Sequence, residues 1–129
     1  MYLFWLIPIQ WSLQVDGSDL FRTEGNNYYP DNSQTISEDL LDPSFDKCFL
    51  RVEHQTLTCL PQSKAIMFCV RSYITPLEQI KSEGDGPRLA QEIENMPEKL
   101  GLYKMRQFWG GKVLPWLKEG RTKALEPTT

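Results

Sequence analysis

Two neighbouring segments, residues 48–60 and 64–75, are rich in β-branched and aromatic side chains. Such segments are typical of strands. Between them, Pro61-Gln62-Ser63 consists of residues that favour turns. The pattern therefore predicts a long β-hairpin with Gln62 at the centre of its turn.

An alternation of apolar and polar residues predicts a second, shorter strand near the start of the chain. Trp11, Leu13 and Val15 alternate with two polar residues, and Asp16-Gly17 then ends the strand. Residues 25–44 are rich in Asn, Asp, Ser and Pro, so we expect mostly loop there. One helical turn is predicted at residues 37–42, capped by Ser37.

After the hairpin the pattern becomes helical. Thr75 is predicted to cap a helix over residues 76–83, with Pro76 at its first position. Further helices are predicted at residues 87–95 and 97–103. Gly110-Gly111 is predicted to break the chain, and Pro115 places the start of the last helix close to itself, with its end at Gly120. A hairpin followed by C-terminal helices predicts an α+β fold.

A turn centred on Gln62 fixes the pairing of the hairpin. Glu53 would then lie opposite Arg71, as a cross-strand ion pair or as a pair that orients a substrate or tunes a cofactor. Gln55 would share their face. A loop one residue longer or shorter would instead pair Glu53 with Ser72 or Val70.

His54 would lie on the other, more apolar face of the hairpin. Three roles remain open for it. The first role is a hydrogen-bonded core residue. The second is an axial ligand to haem iron, which needs one protein nitrogen and an apolar slot. The third is a general base near neutral pH.

Composition narrows the function classes. The chain has 129 residues, 40% of them hydrophobic, which is enough for one domain with a core. Its net charge of −3 argues against nucleic-acid binding. A single histidine excludes multi-histidine metal sites, and the three cysteines form no CxxC pair, so we predict no metal site. Reduced cysteines favour a cytoplasmic location.

The first nine residues are strongly apolar, but a membrane span needs about 20 residues. They also lack the features of a secretory signal, and no transmembrane span is expected. The segment is a buried strand, a weak membrane-surface anchor or a stretch outside the domain.

Charge is distributed unevenly along the chain. Residues 16–46 contain eight acidic residues and one basic residue, whereas residues 99–123 contain seven basic residues and one acidic residue. These segments are either solvated surface or, at the basic end, a docking face for an acidic partner.

The hairpin residues resemble a known family. Phe49-Leu-Arg-Val-Glu-His-Gln-Thr-Leu57, Leu60-Pro61, Ala65-Ile-Met-Phe-Cys-Val-Arg-Ser-Tyr73 and Pro76-Leu77 are similar to motifs of the haem-dependent oxidative N-demethylase-like family, including uncharacterised fungal members with a His-Arg-Gln motif. His54 stands where the family pattern has Arg. Trp11 to Phe21 and Lys112 to Leu117 also resemble family segments, so the resemblance covers roughly residues 11–119.

The resemblance implies a PAS-like antiparallel sheet that binds haem b and oxidatively removes a methyl group from a small amine, using dioxygen and electrons from a reductase partner or second subunit. It implies that Glu53, Gln55 and Arg71 line the site, with His54 as pocket residue or ligand. Family chains are longer, so residues 11–123 are expected to be the C-terminal part of such a domain. Residues 1–10 would lie outside it, and residues 124–129 would form a disordered tail. The alternatives are a non-catalytic PAS-like binding or interaction module, or an inactive fragment of an incorrect gene model.

Overall fold

The fold is an antiparallel sheet with a layer of short helices. The structure, a computed structural model, describes residues 4–6, 10–22 and 36–119. In chain order the elements are β1 (Phe4–Leu6), β2 (Gln10–Gln14), α1 (Glu38–Leu41), a 3₁₀ turn (Phe45–Lys47), β3 (Phe49–Cys59), β4 (Ile66–Pro76), α2 (Leu77–Ser82), α3 (Gly86–Glu94), α4 (Glu98–Tyr103) and α5 (Arg106–Lys118). The predicted α+β fold is confirmed, whereas the PAS-like assignment stays a prediction.

The central strand of the sheet is β3. On one side β4 pairs with it along its whole length, and on the other side β2 pairs with residues 49–53 and β1 with residues 56–58. All pairings are antiparallel. Because β1 and β2 share one side of β3, the sheet is three strands wide. The predicted strand at Trp11–Val15 is confirmed in position. Residues 23–35 and the predicted tail at 124–129 lie outside the described residues.

The predicted hairpin is confirmed, but its predicted register is wrong by one residue. Leu60 and Ala65 close the turn through a backbone hydrogen bond of 2.8 Å, so the loop holds residues 61–64 rather than 61–63. Lys64 is the additional loop residue and adopts a left-handed conformation, with φ of 62°. Because Lys is uncommon in that conformation, the additional loop residue could not be predicted from local sequence. Glu53 therefore lies opposite Ser72, and Arg71 lies opposite His54.

The helical layer begins one residue later than predicted. Thr75 still pairs with Leu50 in the sheet, and Pro76 rather than Thr75 occupies the N-cap position of α2. The helices predicted at residues 87–95 and 97–103 are confirmed as α3 and α4. Side chains of α2, α3 and α5 pack with Leu13 and Leu50 at one end of the sheet, forming the core. In this layer the Arg106 guanidinium donates to the carbonyls of Ile93 and Met96 at the end of α3, at 2.9 and 3.0 Å.

The predicted break at Gly110-Gly111 and the predicted helix start near Pro115 are wrong. α5 runs without interruption from Arg106 to Lys118. Three of its residues at four-residue spacing, Trp109, Val113 and Leu117, are almost completely buried. Burial of that stripe outweighs the local helix-breaking preferences of glycine and proline.

Two basic side chains near the C-terminus, Lys112 and Lys118, form ion pairs within this chain. Lys112 is 2.6 Å from Asp42 of the acidic segment, and Lys118 contacts Glu94. Lys81, which is nearly buried, pairs with Glu119 at 3.4 Å and lies over the Trp116 ring. Some of the basic residues of the C-terminal segment therefore form ion pairs that hold α5 against other parts of the same chain.

Candidate functional site

His54 and Arg71 are brought together by the hairpin register. They form a directly opposed pair on β3 and β4, and opposed residues point to the same face of a sheet. Val52 and Tyr73, the next pair on this face, extend it with apolar surface. His54 is half-buried, and Arg71 is exposed. This set of four residues is called the His54 face.

Arg71 also contacts its neighbour on the same strand. Its guanidinium carbon lies 5.4 Å from the centre of the Tyr73 ring, which is within the range of a cation–π interaction. Tyr73 is itself 46% exposed. The β4 side of the His54 face therefore exposes a guanidinium cation and an aromatic ring.

Glu53 and Gln55 lie on the opposite face of the same strand. Gln55 Nε2 donates to Glu53 Oε2 at 3.2 Å, and Arg51 Nε donates to Glu53 Oε1 at 3.2 Å. Arg51 reaches further, to Ser72 Oγ on β4 at 3.3 Å and to Gln14 Oε1 on β2 at 3.4 Å. The predicted placement of Glu53 and Gln55 on one face is confirmed, and Arg51 lies there too, but Arg71 is on the other face.

This polar network connects β2, β3 and β4 at one level of the sheet. It also orders the segment after β2, because Gln14 Nε2 donates to the carbonyls of Gly17 and Asp19 at 2.8 and 3.0 Å. Arg51 is nearly buried, with its side chain 11% exposed, and its donors are used within the network. The network therefore fixes the relative positions of the strands.

A cavity of about 300 Å³ lies beside the network at the edge of β2. Its lining residues come from β2, β3 and the end of α4: Gln10, Trp11, Ser12, Arg51, Glu53, Tyr103 and Lys104. Glu53 therefore faces this cavity, whereas His54 is not a lining residue. A carboxylate offers about four lone-pair sites, so Glu53 can accept further bonds beyond those from Arg51 and Gln55.

Lys104 is the cavity residue that sequence reasoning missed. Its ammonium donates to the backbone carbonyl of Trp11 and lies 4.9 Å from the centre of the Trp11 ring. Burial lowers the pKa of Lys104, because an ammonium loses hydration there. Lys104 and Trp11 are far apart in sequence, so no local pattern could have joined them.

The residues that could ligate a metal ion are dispersed. No group of three or more His, Cys, Asp and Glu side chains comes together within residues 4–6, 10–22 and 36–119. The same ranges contain no helix that is long and apolar enough to cross a membrane. All three cysteines are free thiols.

The chain belongs to the family described as haem-dependent oxidative N-demethylase, alpha subunit-like. The family profile matches residues 8–114, which include β2, the hairpin and most of the helical layer. The family resemblance of the sequence is thereby confirmed. No curated protein and no solved structure gives a significant match.

The side chains of the His54 face fit one wall of a haem site. An imidazole is a common axial ligand of haem iron, and a guanidinium pairs well with a propionate carboxylate. Val52 and Tyr73 supply apolar surface of the kind that a porphyrin contacts. Since Arg71 and Tyr73 are exposed, the described residues form this wall and leave its outer side open.

Proposed function

We propose that this chain is a haem-binding subunit of an oxidoreductase that removes N-methyl groups from small amines. The observation that carries the proposal is the direct pairing of His54, the only histidine in the chain, with Arg71 on an open, partly apolar sheet face. Membership of the haem-dependent oxidative N-demethylase, alpha subunit-like family supports it.

In this proposal the residues of the His54 face would hold haem b. His54 would offer an imidazole nitrogen to the iron, and Arg71 would pair with a propionate. Tyr73 keeps the Arg71 guanidinium in place through the cation–π contact. Bound haem would supply the activation of dioxygen needed for oxidative demethylation.

The overall reaction would consume the N-methylamine, dioxygen, two electrons and two protons, and release the demethylated amine, formaldehyde and water. The electrons would come from a reductase or a second subunit, in keeping with the description of the family as alpha subunit-like. We also retain a cytoplasmic location as a prediction from the free cysteines.

Glu53 and Gln55 have a positioning role in this proposal. They face away from His54 and share hydrogen bonds with each other and, through Glu53, with Arg51. The network of these residues holds β3 in register against β2 and β4. Register determines which residue stands opposite His54, so the network acts on the haem face through the sheet.

Titration of the recombinant chain with haemin tests the proposal. We expect a Soret band that saturates near one equivalent and shifts on reduction with dithionite. His54→Ala should weaken binding by at least about tenfold and move the band, because the iron loses its protein ligand. Gln91→Ala is the matched control, since Gln91 is exposed on α3 and belongs neither to the His54 face nor to the polar network of Arg51, Glu53 and Gln55. It should bind haemin like the unmodified chain.

An absence of any spectral change at stoichiometric haemin, or equal binding by the His54→Ala protein, would contradict the proposal. The second candidate function is then a non-catalytic PAS-like binding or interaction module. The long exposed strand β4 favours that candidate over an inactive fragment, because such an edge is suited to pairing with another chain.

A further inference from the structure

The outer edge of β4 is unusually open. β4 has 11 residues and, within the described part of the chain, pairs only with β3. Its other edge therefore presents a row of backbone N–H and C=O groups, which is a template for pairing with a further strand.

At the opposite edge of the sheet, a charged side chain covers part of β2. There the Lys104 ammonium donates to the backbone carbonyl of Trp11 on β2. Charged side chains of this kind are a usual protection of edge strands. β4 has a single charged residue, Arg71, and an uninterrupted uncharged run from Ile66 to Val70.

Apolar side chains are exposed on both faces of β4. Ile66, Phe68 and Val70 point to one face and are 63%, 51% and 47% exposed. Met67 and Tyr73 point to the other face and are also about half exposed. An added strand would cover the edge, and its side chains would lie beside those of β4 on both faces of the sheet.

We propose that β4 is the dimerisation edge of this protein, and that a second copy of the chain pairs its own β4 antiparallel to it. Two copies related by a twofold axis would join their sheets into one continuous sheet. The interface is isologous, so each copy offers the same residues that it receives.

The exposed apolar area contributes to a dimer interface. Four large side chains of the paired run, each about half exposed, leave on the order of 400 Å² of apolar surface per copy. Two copies therefore bring about 800 Å² of apolar surface to the contact, and pairing also buries the two backbone edges. Stable interfaces bury about 1,200–2,000 Å² in total.

The distribution of charge also permits self-pairing. An axis at Phe68 pairs the whole run Ile66–Val70 with itself, placing Phe68 against its own copy. Arg71 then lies opposite Ala65, and Lys64 lies opposite Ser72, so no charge meets a like charge.

Multi-angle light scattering after size-exclusion chromatography tests the proposal on the full chain. We expect the unmodified protein to have twice the mass of one 15.0 kDa chain. Phe68→Lys should elute as a monomer, since it places two lysines at the axis. Leu102→Lys is the control, because Leu102 is exposed to a similar degree on α4, and this variant should remain a dimer.

A monomeric unmodified protein, including one that pairs only with a different subunit, would overturn the proposal. So would a dimeric Phe68→Lys protein. Hydrogen exchange of the unmodified protein gives a second reading that does not depend on the folding of a variant. Outward amides of residues 66–70 should gain protection as protein concentration rises, and exchange that is independent of concentration would refute self-pairing.

Discussion

Cys48 shows how burial alone sets the chemistry of a residue. Its side chain is completely buried at the junction between the 3₁₀ turn and β3, and its thiol donates to the Ser44 carbonyl at 3.3 Å. Burial raises the pKa of the Cys48 thiol to about 11, an effect that Lys112 partly opposes. Cys48 is therefore an inert, neutral thiol at physiological pH.

The raised pKa predicts a loss of stability at alkaline pH. Above pH 9.0 the unfolded chain releases the Cys48 proton, whereas the folded chain keeps it up to pH of about 11. The unfolded state is thus favoured, and Cys48 should lower the free energy of unfolding by about 1.4 kcal/mol per pH unit in this window.

Urea denaturation of the unmodified chain and of Cys48→Ala, at pH 7 and at several values between pH 9 and 11, measures this effect. The difference between the two proteins should shrink as pH rises, because only the unmodified chain carries the Cys48 titration. Parallel stability profiles would show that the thiol ionises equally well in the folded state.

At the scale of elements, the close contact between α3 and α5 holds the helical layer together. Gly86 begins α3, and a Cβ atom at this position would lie 2.5 Å from the backbone carbonyl oxygen of Leu117. Backbone cannot move away as a flexible side chain can. Glycine at residue 86 is therefore required by packing, although the sequence alone suggests only a helix stop.

Two glycine-to-alanine substitutions should have opposite effects. Gly86→Ala should destabilise the protein by about 1–3 kcal/mol through overpacking against Leu117. Gly111→Ala should stabilise it by roughly 0.5–1 kcal/mol, because the new Cβ meets no atom within 4 Å beyond its chain neighbours and the backbone of its own helix, and alanine favours a helix interior. Chemical denaturation of both variants provides the test, and a neutral Gly86→Ala would disprove the close contact.

Local pattern was sufficient for the hairpin and for most helices, but not for register or for α5. Because the loop contains one more residue than predicted, Lys64, Arg71 lies opposite His54 and not opposite Glu53. The continuity of α5 depends on the burial of Trp109, Val113 and Leu117, which is a property of the assembled core. The same holds for the candidate site. Strand alternation places Glu53 and Gln55 on one face, whereas only tertiary structure brings Lys104 to the cavity that Glu53 lines.

The whole molecule has two dissimilar ends. At one end helices cover the sheet and bury a core around Trp109 and Leu77. At the other end the hairpin carries the His54 face and the exposed edge of β4. The covered end stabilises the strands. In the two proposals, haem would lie on the His54 face and a second copy would pair along residues 66–70 of β4.

The central claim is that His54 holds the haem iron, and the single histidine allows a direct measurement. In a chain labelled with ¹⁵N only at histidine, the imidazole gives one set of NMR signals. One equivalent of haemin should shift or broaden these signals beyond detection, because the iron would lie at bonding distance from the ring. Histidine signals that stay at their positions while haemin is present would contradict the account.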